Sequence, residues 1–430
     1  MDWNHCRLVV TRVLLIAGTL TGGAPGVKAI DWPQYRGPNH DGISPEKILK
    51  TWPADGLKVL WKTPLTDGFS CFSIAGGKAV TLVRREIDGS AKEVCVALDA
   101  ANGKELWAAV VDVAKYDGGG ESGNPDNRGG DGPRSTPSID GERVYILSAN
   151  LILSCLNLAD GKEIWVKDVR KEFSGKVIRW QNAASPLIDG ELVFVSSTGP
   201  GQSLLALKKA DGALAWKGFD DQMTHATPVA ATILGTRQIV FFTQSGLVSV
   251  APETGKELWR FKFRYNISTA ASPVVAGDLV YCSAGYDVGA GLVRISKTGD
   301  SFAATEVWVK SKQLINHWST PVFHDGYLYG MFGFKEFGKG ALKCVELASG
   351  KEMWTSAGFG PGGVVLADGQ IVALSDSGQV VLVAAKPDAY QEISRFQAIQ
   401  GKCWNAPALS NGKLFVRGTR EGACLDVSPK

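Results

Sequence analysis

The sequence predicts an all-β fold: a single eight-bladed β-propeller of four-stranded antiparallel blades, closed by an N-terminal strand that completes the last blade. Three observations predict it. A Gly-Lys-Glu-x-aromatic motif recurs along the chain, every unit carries the same Pro and Gly punctuation, and no long stretch shows helical apolar periodicity.

The motif reads Asn102-Gly103-Lys104-Glu105-Leu106-Trp107, Asp160-Gly161-Lys162-Glu163-Ile164-Trp165, Thr254-Gly255-Lys256-Glu257-Leu258-Trp259 and Ser349-Gly350-Lys351-Glu352-Met353-Trp354. A weaker copy ends at Trp216, a stretched copy runs from Thr298-Gly299 to Trp308, and the last has Phe396 in the Trp slot. An isolated Trp61 precedes them. Successive aromatics, from Trp61 through Trp107, Trp165, Trp216, Trp259, Trp308 and Trp354 to Phe396, lie 42 to 58 residues apart. That period belongs to propeller blades or helical solenoids. A Trp fixed in a repeat is a docking residue: it buries a large ring and needs one partner for its N–H.

The punctuation decides for strands. Pro137 precedes the Gly141 turn and the run Val144-Tyr145-Ile146-Leu147; Pro186, Pro273, Pro321 and Pro407 precede similar turns and runs. Short β-branched and aromatic runs between turn residues are strands. The Asp-Gly, Asn-Gly and Thr-Gly pairs are hairpins in which Gly supplies positive φ. Eight such units follow one another, and the eighth stops at a third strand, Gly422–Val427. The missing outer strand, with its aromatic, is Leu57-Lys58-Val59-Leu60-Trp61. Pairing the two ends closes the ring and removes an exposed edge.

Three segments follow: a leader over 1–29, an arm over 30–56 packed on the propeller, and the propeller over 57–430. Arg7 and Arg12 flank the start of a short apolar run, and Val27-Lys28-Ala29 reads as a small-x-small cleavage site, so the chain is expected to be exported, to the periplasm or beyond. The arm carries Trp32, Tyr35 and Trp52. Of 430 residues, 44% are hydrophobic, which supports a sizeable core. With 46 basic against 43 acidic residues there is no nucleic-acid footprint and no polybasic membrane signal. Seven Cys follow the leader, with no C-x-x-C. Cys155, Cys344 and Cys424 share a repeat slot with Ala97, Ala206 and Ser249, which marks them as small buried residues rather than a disulfide framework.

The stretch Ala97 to Trp107 resembles the tryptophan-docking motif A-x-D-x-x-T-G-K-x-x-W of PQQ-type quinoprotein propellers. That repeat family includes quinoprotein alcohol dehydrogenases and the BamB-like assembly scaffolds, and the resemblance implies eight blades. Asp31-Trp32-Pro33-Gln34-Tyr35-Arg36-Gly37-Pro38-Asn39-His40-Asp41-Gly42 resembles the opening of exported bacterial PQQ-like propeller proteins. So do Gly132–Pro137 and Asn316-His317. For the dehydrogenases the resemblance implies an adjacent Cys pair over the quinone, a calcium ion held by acidic and amide side chains, and an Asp base. No two Cys are adjacent here, and no calcium triad can be placed by motif.

No G-x-S-x-G, H-E-x-x-H or P-loop occurs. The oxygen-rich Asn124–Gly132 lacks the spacing and terminal Glu of an EF-hand loop. The candidate site lies elsewhere. All eight segments that precede the Pro-marked innermost strands enter from one side, so they surround one mouth of the channel, where loops carry function. They contain Arg134, Trp180, Asn182, His225, Asn316, His317, Trp404 and Asn405. A mixed aromatic and polar mouth suits a peptide, protein or glycan partner. The expectation is a monomeric binding or scaffolding propeller with no metal, no cofactor and no catalytic residue. The alternative is a quinoprotein oxidoreductase using PQQ with calcium.

Overall fold

The computed structural model describes Met1 and residues 30–116, 132–333 and 338–429; the leader expected over 1–29 and the oxygen-rich residues 124–131 otherwise lie outside these. Eight four-stranded antiparallel blades form the ring, and one of them, blade 7, carries a fifth, parallel strand from the arm. Among the described residues the only helix is Val169–Glu172. Blade 1 is typical: Ser73–Ala75 innermost, then Lys78–Ile87, Ser90–Asp99 and Glu105–Val113 outermost. Blade 8 takes three strands from the C-terminus, Ala408–Ser410, Lys413–Arg417 and Glu421–Asp426, and its outermost strand, Lys58–Pro64, from the N-terminus. Trp61 stands opposite Cys424 in that pairing.

The repeat motif explains the blade joints. Each docking residue sits on an outermost strand opposite a small or apolar residue: Trp107 faces Ala97, Trp165 faces Cys155, Trp216 faces Ala206 and Trp354 faces Cys344. The Cys of that slot are thiols of small volume, and all seven Cys among the described residues are free and buried. A bulge just before each Trp inserts one extra residue, such as Leu106 or Ile164, and twists the strand locally. In blade 7 the bulge falls at Ile393, so Ser394 holds the slot expected for Phe396, which lies two residues beyond it. The indole N–H then reaches a carbonyl of the next blade: Trp61 to Ala100 at 3.1 Å, Trp107 to Leu158 at 3.0 Å, Trp165 to Lys209 at 3.1 Å, Trp216 to Pro252 at 2.7 Å, Trp308 to Leu347 at 3.0 Å and Trp354 to Lys386 at 2.8 Å.

The motif Gly is required by this contact. At Gly103 (φ +74°) a Cβ would lie 2.6 Å from the Trp61 ring. Gly56, in the arm, does the same for Phe396: its φ is +94° and a Cβ would lie 2.3 Å from that ring. Trp259 departs from the pattern. Its N–H goes to Gln238 Oε1 of its own blade, at 2.7 Å. The next blade's outer hairpin, Gly289–Thr298 with Ser301–Ser311, is stretched, so Gly299 has no atom within 4 Å of a would-be Cβ, and Phe302 and Ala304 pack instead against the hydrophobic cluster that contains Trp259.

Residues 30–56 lie inside the ring as well as across its last two blades. Trp32, only 2% exposed, exchanges backbone hydrogen bonds with Ile74 of the innermost strand of blade 1. Pro33 O accepts from Ile139 of blade 2. Ile43–Ser44 pairs in parallel with Gly363–Ala367, the innermost strand of blade 7. The Glu46 carboxylate accepts from the backbone N–H groups of Asn411 and Gly412 in blade 8. Local sequence could not show this threading, because the arm's partners are spread from blade 1 to blade 8, Gly412 lying 366 residues from Glu46 along the chain.

Candidate functional site

At the face where the innermost strands begin, the channel opens into a cavity of about 1140 Å³, counting its open mouth. The segments before all eight innermost strands contribute, Phe69, Arg134, Trp180, His225, Ser268, Trp318, Gly362 and Trp404 being one from each, although only six of those strands are opened by a Pro: blade 1 has Phe72 and blade 7 Gly363 in that slot. The neck is a girdle of hydroxyls, each on the residue before a strand-opening Pro. Thr136 accepts from Cys71 N (3.0 Å), Ser185 from Thr136 N (2.9 Å), Thr227 from Ser185 N (2.9 Å) and Thr320 from Ser272 N (2.9 Å). Proline removes a donor at the next position, and the girdle pairs the N–H groups that remain.

The arm supplies the floor. Tyr35 and Arg36 line the mouth, while Arg36, Asn39, His40, Asp41 and Ile43 line a second space on the other side. The mouth is therefore a cup rather than a through-channel. Arg36 is anchored by main-chain carbonyls: Nη1 donates to Thr320 (2.8 Å), Nη2 to Pro321 (2.8 Å) and Asp41 (2.7 Å), and Nε to His40 (3.2 Å). Burial lowers its pKa.

An aromatic arc runs round the lip. Trp180 stacks on Tyr286 with centroids 6.1 Å apart, Tyr286 meets His317 at 5.2 Å, His317 meets Trp318 at 4.6 Å, Trp318 meets Trp404 at 4.9 Å, and Trp404 stacks on Phe69 at 5.3 Å. Lys402 Nζ lies 4.6 Å above the Trp404 ring. Trp180 and Gln181 hold φ of 66° and 58°, and Tyr286 and Asp287 hold 54° and 64°. Bulky residues rarely adopt this left-handed region, and such strain clusters at ligand sites.

Of the eight sequence-derived mouth residues, Arg134, Trp180, His225, His317, Trp404 and Asn405 line the cup. Asn182 and Asn316, expected there too, lie behind its wall. Asn182 Nδ2 donates to Leu147, Ser148 and Ala184 carbonyls, and Asn316 accepts from Tyr281 OH at 2.7 Å and donates to Met331 O at 2.9 Å. Both are spent on holding loops. Trp318, in the segment Asn316-His317-Trp318 that the sequence places at the mouth, lines the cup too; sequence reasoning missed Tyr35, Arg36, Phe69 and Tyr286 there. Tyr286 comes from the hairpin between Leu279–Ala284 and Gly289–Thr298, which opens on the same face but carries no Pro mark.

Four buried polar atoms of the cup have no hydrogen-bond partner: His225 Nδ1, Trp404 Nε1, and both Nδ2 and Oδ1 of Asn405. Each of these residues is 6% exposed. Burial, with the charge of Arg134 adding to it, pushes His225 down to about 3, so the ring is neutral at physiological pH. Buried polar groups without partners are costly, which points to a ligand that pairs them.

Arg134 is held from below. Its Nη1 donates to Trp180 O at 2.8 Å and its Cζ lies 5.9 Å from the Tyr116 ring centroid. Tyr116 OH donates to Glu93 Oε1 at 2.8 Å, and Ala149 N donates to Glu93 Oε2 at 3.1 Å. Burial raises the Glu93 carboxyl from 4.5 to about 7, against those hydrogen bonds. The folded state thus binds the proton more tightly than the unfolded chain, and this stability is present below pH 4.5 and lost as pH rises through 7. Glu93→Gln removes that loss. Denaturant melts at pH 5 and pH 8 are expected to show the variant gaining stability relative to the parent on the order of 3 kcal/mol.

Fold and cup together define a closed PQQ-like repeat propeller with an aromatic, cationic mouth. A family model described as Outer membrane protein assembly factor BamB (PQQ_2) matches residues 90–355, more than half of the chain, and the chain belongs to that family. It is 25% identical over 267 residues to the Outer membrane protein assembly factor BamB of Moranella endobia (strain PCIT), a match covering 58% of this chain and 64% of that protein. The chain thus spans just under two thirds of that relative's length. Among solved structures, BamB from Moraxella catarrhalis has a TM-score of 0.60 at 15% identity, covering 87% of this chain and 98% of that one. The quinohemoprotein alcohol dehydrogenase from Comamonas testosteroni has a TM-score of 0.64 at 13% identity, covering 93% and 81%. At such identities the likeness is one of fold.

The dehydrogenase likeness raises the question of calcium. Calcium takes oxygen ligands, mostly carboxylates. Among the described residues lining the cup there is no Asp or Glu and one Cys, Cys71, while Arg36 and Arg134 bring positive charge. Among the described residues no group of three or more His, Cys, Asp or Glu converges. The donor set does not fit the ion, and no step through a quinone or calcium is derived.

Proposed function

We propose that this chain is an exported binding propeller that holds a segment of a partner protein in its channel mouth and carries out no redox chemistry there. The observation that carries the reading is the set of unpaired buried polar atoms of His225, Trp404 and Asn405, ringed by aromatics, at the one place where all eight blades converge. The protein partner is supported by the family, whose description is that of an assembly factor. Export is supported by the leader-like N-terminus, Val27-Lys28-Ala29 included. No helix among the described residues is long and apolar enough to cross a membrane.

The test uses two variants of the full chain. In the first, Trp180, Tyr286 and Trp318, which are half-buried at the lip, become Ala; in the second, the exposed Glu142, Glu191 and Asp325 of the opposite, hairpin face become Ala. Affinity capture from the native envelope is expected to lose its partners with the first and keep them with the second, at an unchanged melting temperature. The reverse pattern sinks the reading. Under the same reading, calorimetric titration with PQQ and Ca²⁺ gives no saturable heat, and dye-linked alcohol oxidation is absent.

A further inference from the structure

We infer that the cup takes a proline-rich segment of its partner, a polyproline-type stretch whose carbonyls meet Trp404 and Asn405 and whose rings lie on the aromatic arc. The inference rests on the binding reading above and narrows its ligand.

Unpaired donors are the first ground. The indole N–H of Trp404 and the amide nitrogen of Asn405 are buried and have no partner. Three hydroxyls of the neck add to them. Thr136, Ser185 and Thr227 line the cup, each accepts one backbone N–H, and the O–H of each meets no acceptor among the described residues. These five donors call for carbonyls. Asn405 Oδ1 asks for one N–H in return. An ordinary peptide brings an N–H with every carbonyl, and a sugar hydroxyl brings a proton with every acceptor. A proline residue brings a carbonyl and no N–H. The polyproline helix makes no internal hydrogen bonds, so its carbonyls stay free to accept. A residue between two prolines supplies the N–H that Asn405 takes.

The second ground is the arc itself, which does not depend on hydrogen bonds. From Trp180 through Tyr286, His317 and Trp318 to Trp404 and Phe69, neighbouring rings stand 4.6 to 6.1 Å apart. Trp180, Tyr286 and Trp318 are half-buried, so part of each ring faces the mouth. Pyrrolidine rings are compact, apolar and rigid, and proline-rich segments dock on aromatic-lined grooves for that reason. One polyproline turn of three residues rises about 9 Å, so prolines three apart reach rings roughly two steps apart along the arc. The stretch is ordered before it binds, which lowers the entropy lost on docking. An inorganic anion leaves the aromatic faces bare and Asn405 Oδ1 unmet. The floor formed by Tyr35 and Arg36 means that the segment enters as a chain end or a loop.

The experiment titrates the full chain with three probes, followed by tryptophan fluorescence and calorimetry: Ac-Ser-Pro-Pro-Ala-Pro-Pro-Ser-NH₂, the same peptide with every Pro changed to Ala, and cellopentaose. The proline peptide is expected to bind saturably, at least about tenfold tighter than the alanine peptide. Trp404→Phe keeps an aromatic ring and removes the N–H, and it is expected to weaken the proline peptide roughly three- to tenfold. Equal affinity of the two peptides, no binding of either, or an unchanged affinity in Trp404→Phe overturns the inference. Tighter binding of cellopentaose than of the proline peptide overturns it in favour of a neutral glycan. The peptide comparison needs no variant, so misfolding of Trp404→Phe leaves the test standing. Loss of native partners by the lip variant together with silent proline peptides rejects this inference alone; if the lip variant keeps its partners, the binding reading fails with it.

Discussion

A chain lacking residues 30–62 is expected not to melt cooperatively. The deletion removes most of Lys58–Pro64, the strand that pairs with Glu421–Asp426 and completes blade 8. It leaves Cys424 and its neighbours on an open edge and takes Trp32, Trp52 and Trp61 out of the largest hydrophobic cluster. An open ring exposes both the edge of blade 8 and the face of blade 1 that Trp61 covers, and a repeat array stands on such interfaces. Trp61→Ala alone is expected to cost about 3–5 kcal/mol, as for a buried aromatic truncation. Circular dichroism on heating checks both. A deleted chain that melts in one sharp transition near the parent temperature refutes closure by the two termini.

Arg417→Met is expected to destabilise on the order of 3–5 kcal/mol, although no ion pair is lost. Arg417 lies on the second strand of blade 8 and is 1% exposed. Its Nη1 donates to Thr81 Oγ1 (2.9 Å) and Leu82 O (2.7 Å) of blade 1, and its Nη2 to Thr66 O (3.2 Å) and Gly68 O (2.9 Å) of the linker between the closing strand and blade 1. One side chain thus ties the last blade, the closing strand's exit and the first blade together. Methionine fills the volume and leaves those carbonyls buried without a donor. Arg294→Met provides the control: Arg294 is 55% exposed in its pair with Asp278, and such surface pairs are worth less than about 1 kcal/mol. Equal, small losses in urea melts of the two variants would show that Arg417 clamps nothing.

The blades were legible because their signals are local. Gly103 and Trp107 announce a hairpin and a docking ring within a few residues, and a Pro marks the start of six of the eight innermost strands. The residue before it also proves functional in the fold: Thr136, Ser185, Thr227 and Thr320 form the hydroxyl girdle. The mouth was legible in outline for the same reason, since the six Pro-marked segments enter on one face and the two without a Pro, before Ser73 and Gly363, follow the repeat. Its composition was less so. Asn182 and Asn316 share the chemistry of Asn405, yet their amides turn into their own loops, and only the tertiary arrangement separates a capping amide from an unpaired one. Tyr35 and Arg36 reach the cup from the arm, whose path through the ring is decided by contacts with innermost strands far along the chain. Trp259 satisfies the motif but not its usual bond, because the hairpin that should receive it is stretched in the neighbouring blade.

The claim that the channel mouth is the binding surface is tested most directly by photo-crosslinking in the native cell. A photoreactive residue replaces Tyr286, half-exposed in the aromatic arc, in one form of the protein and Glu191, exposed on the hairpin face, in another. The account predicts a discrete protein adduct from position 286 and none from position 191. An adduct from position 191 with none from position 286 would contradict it.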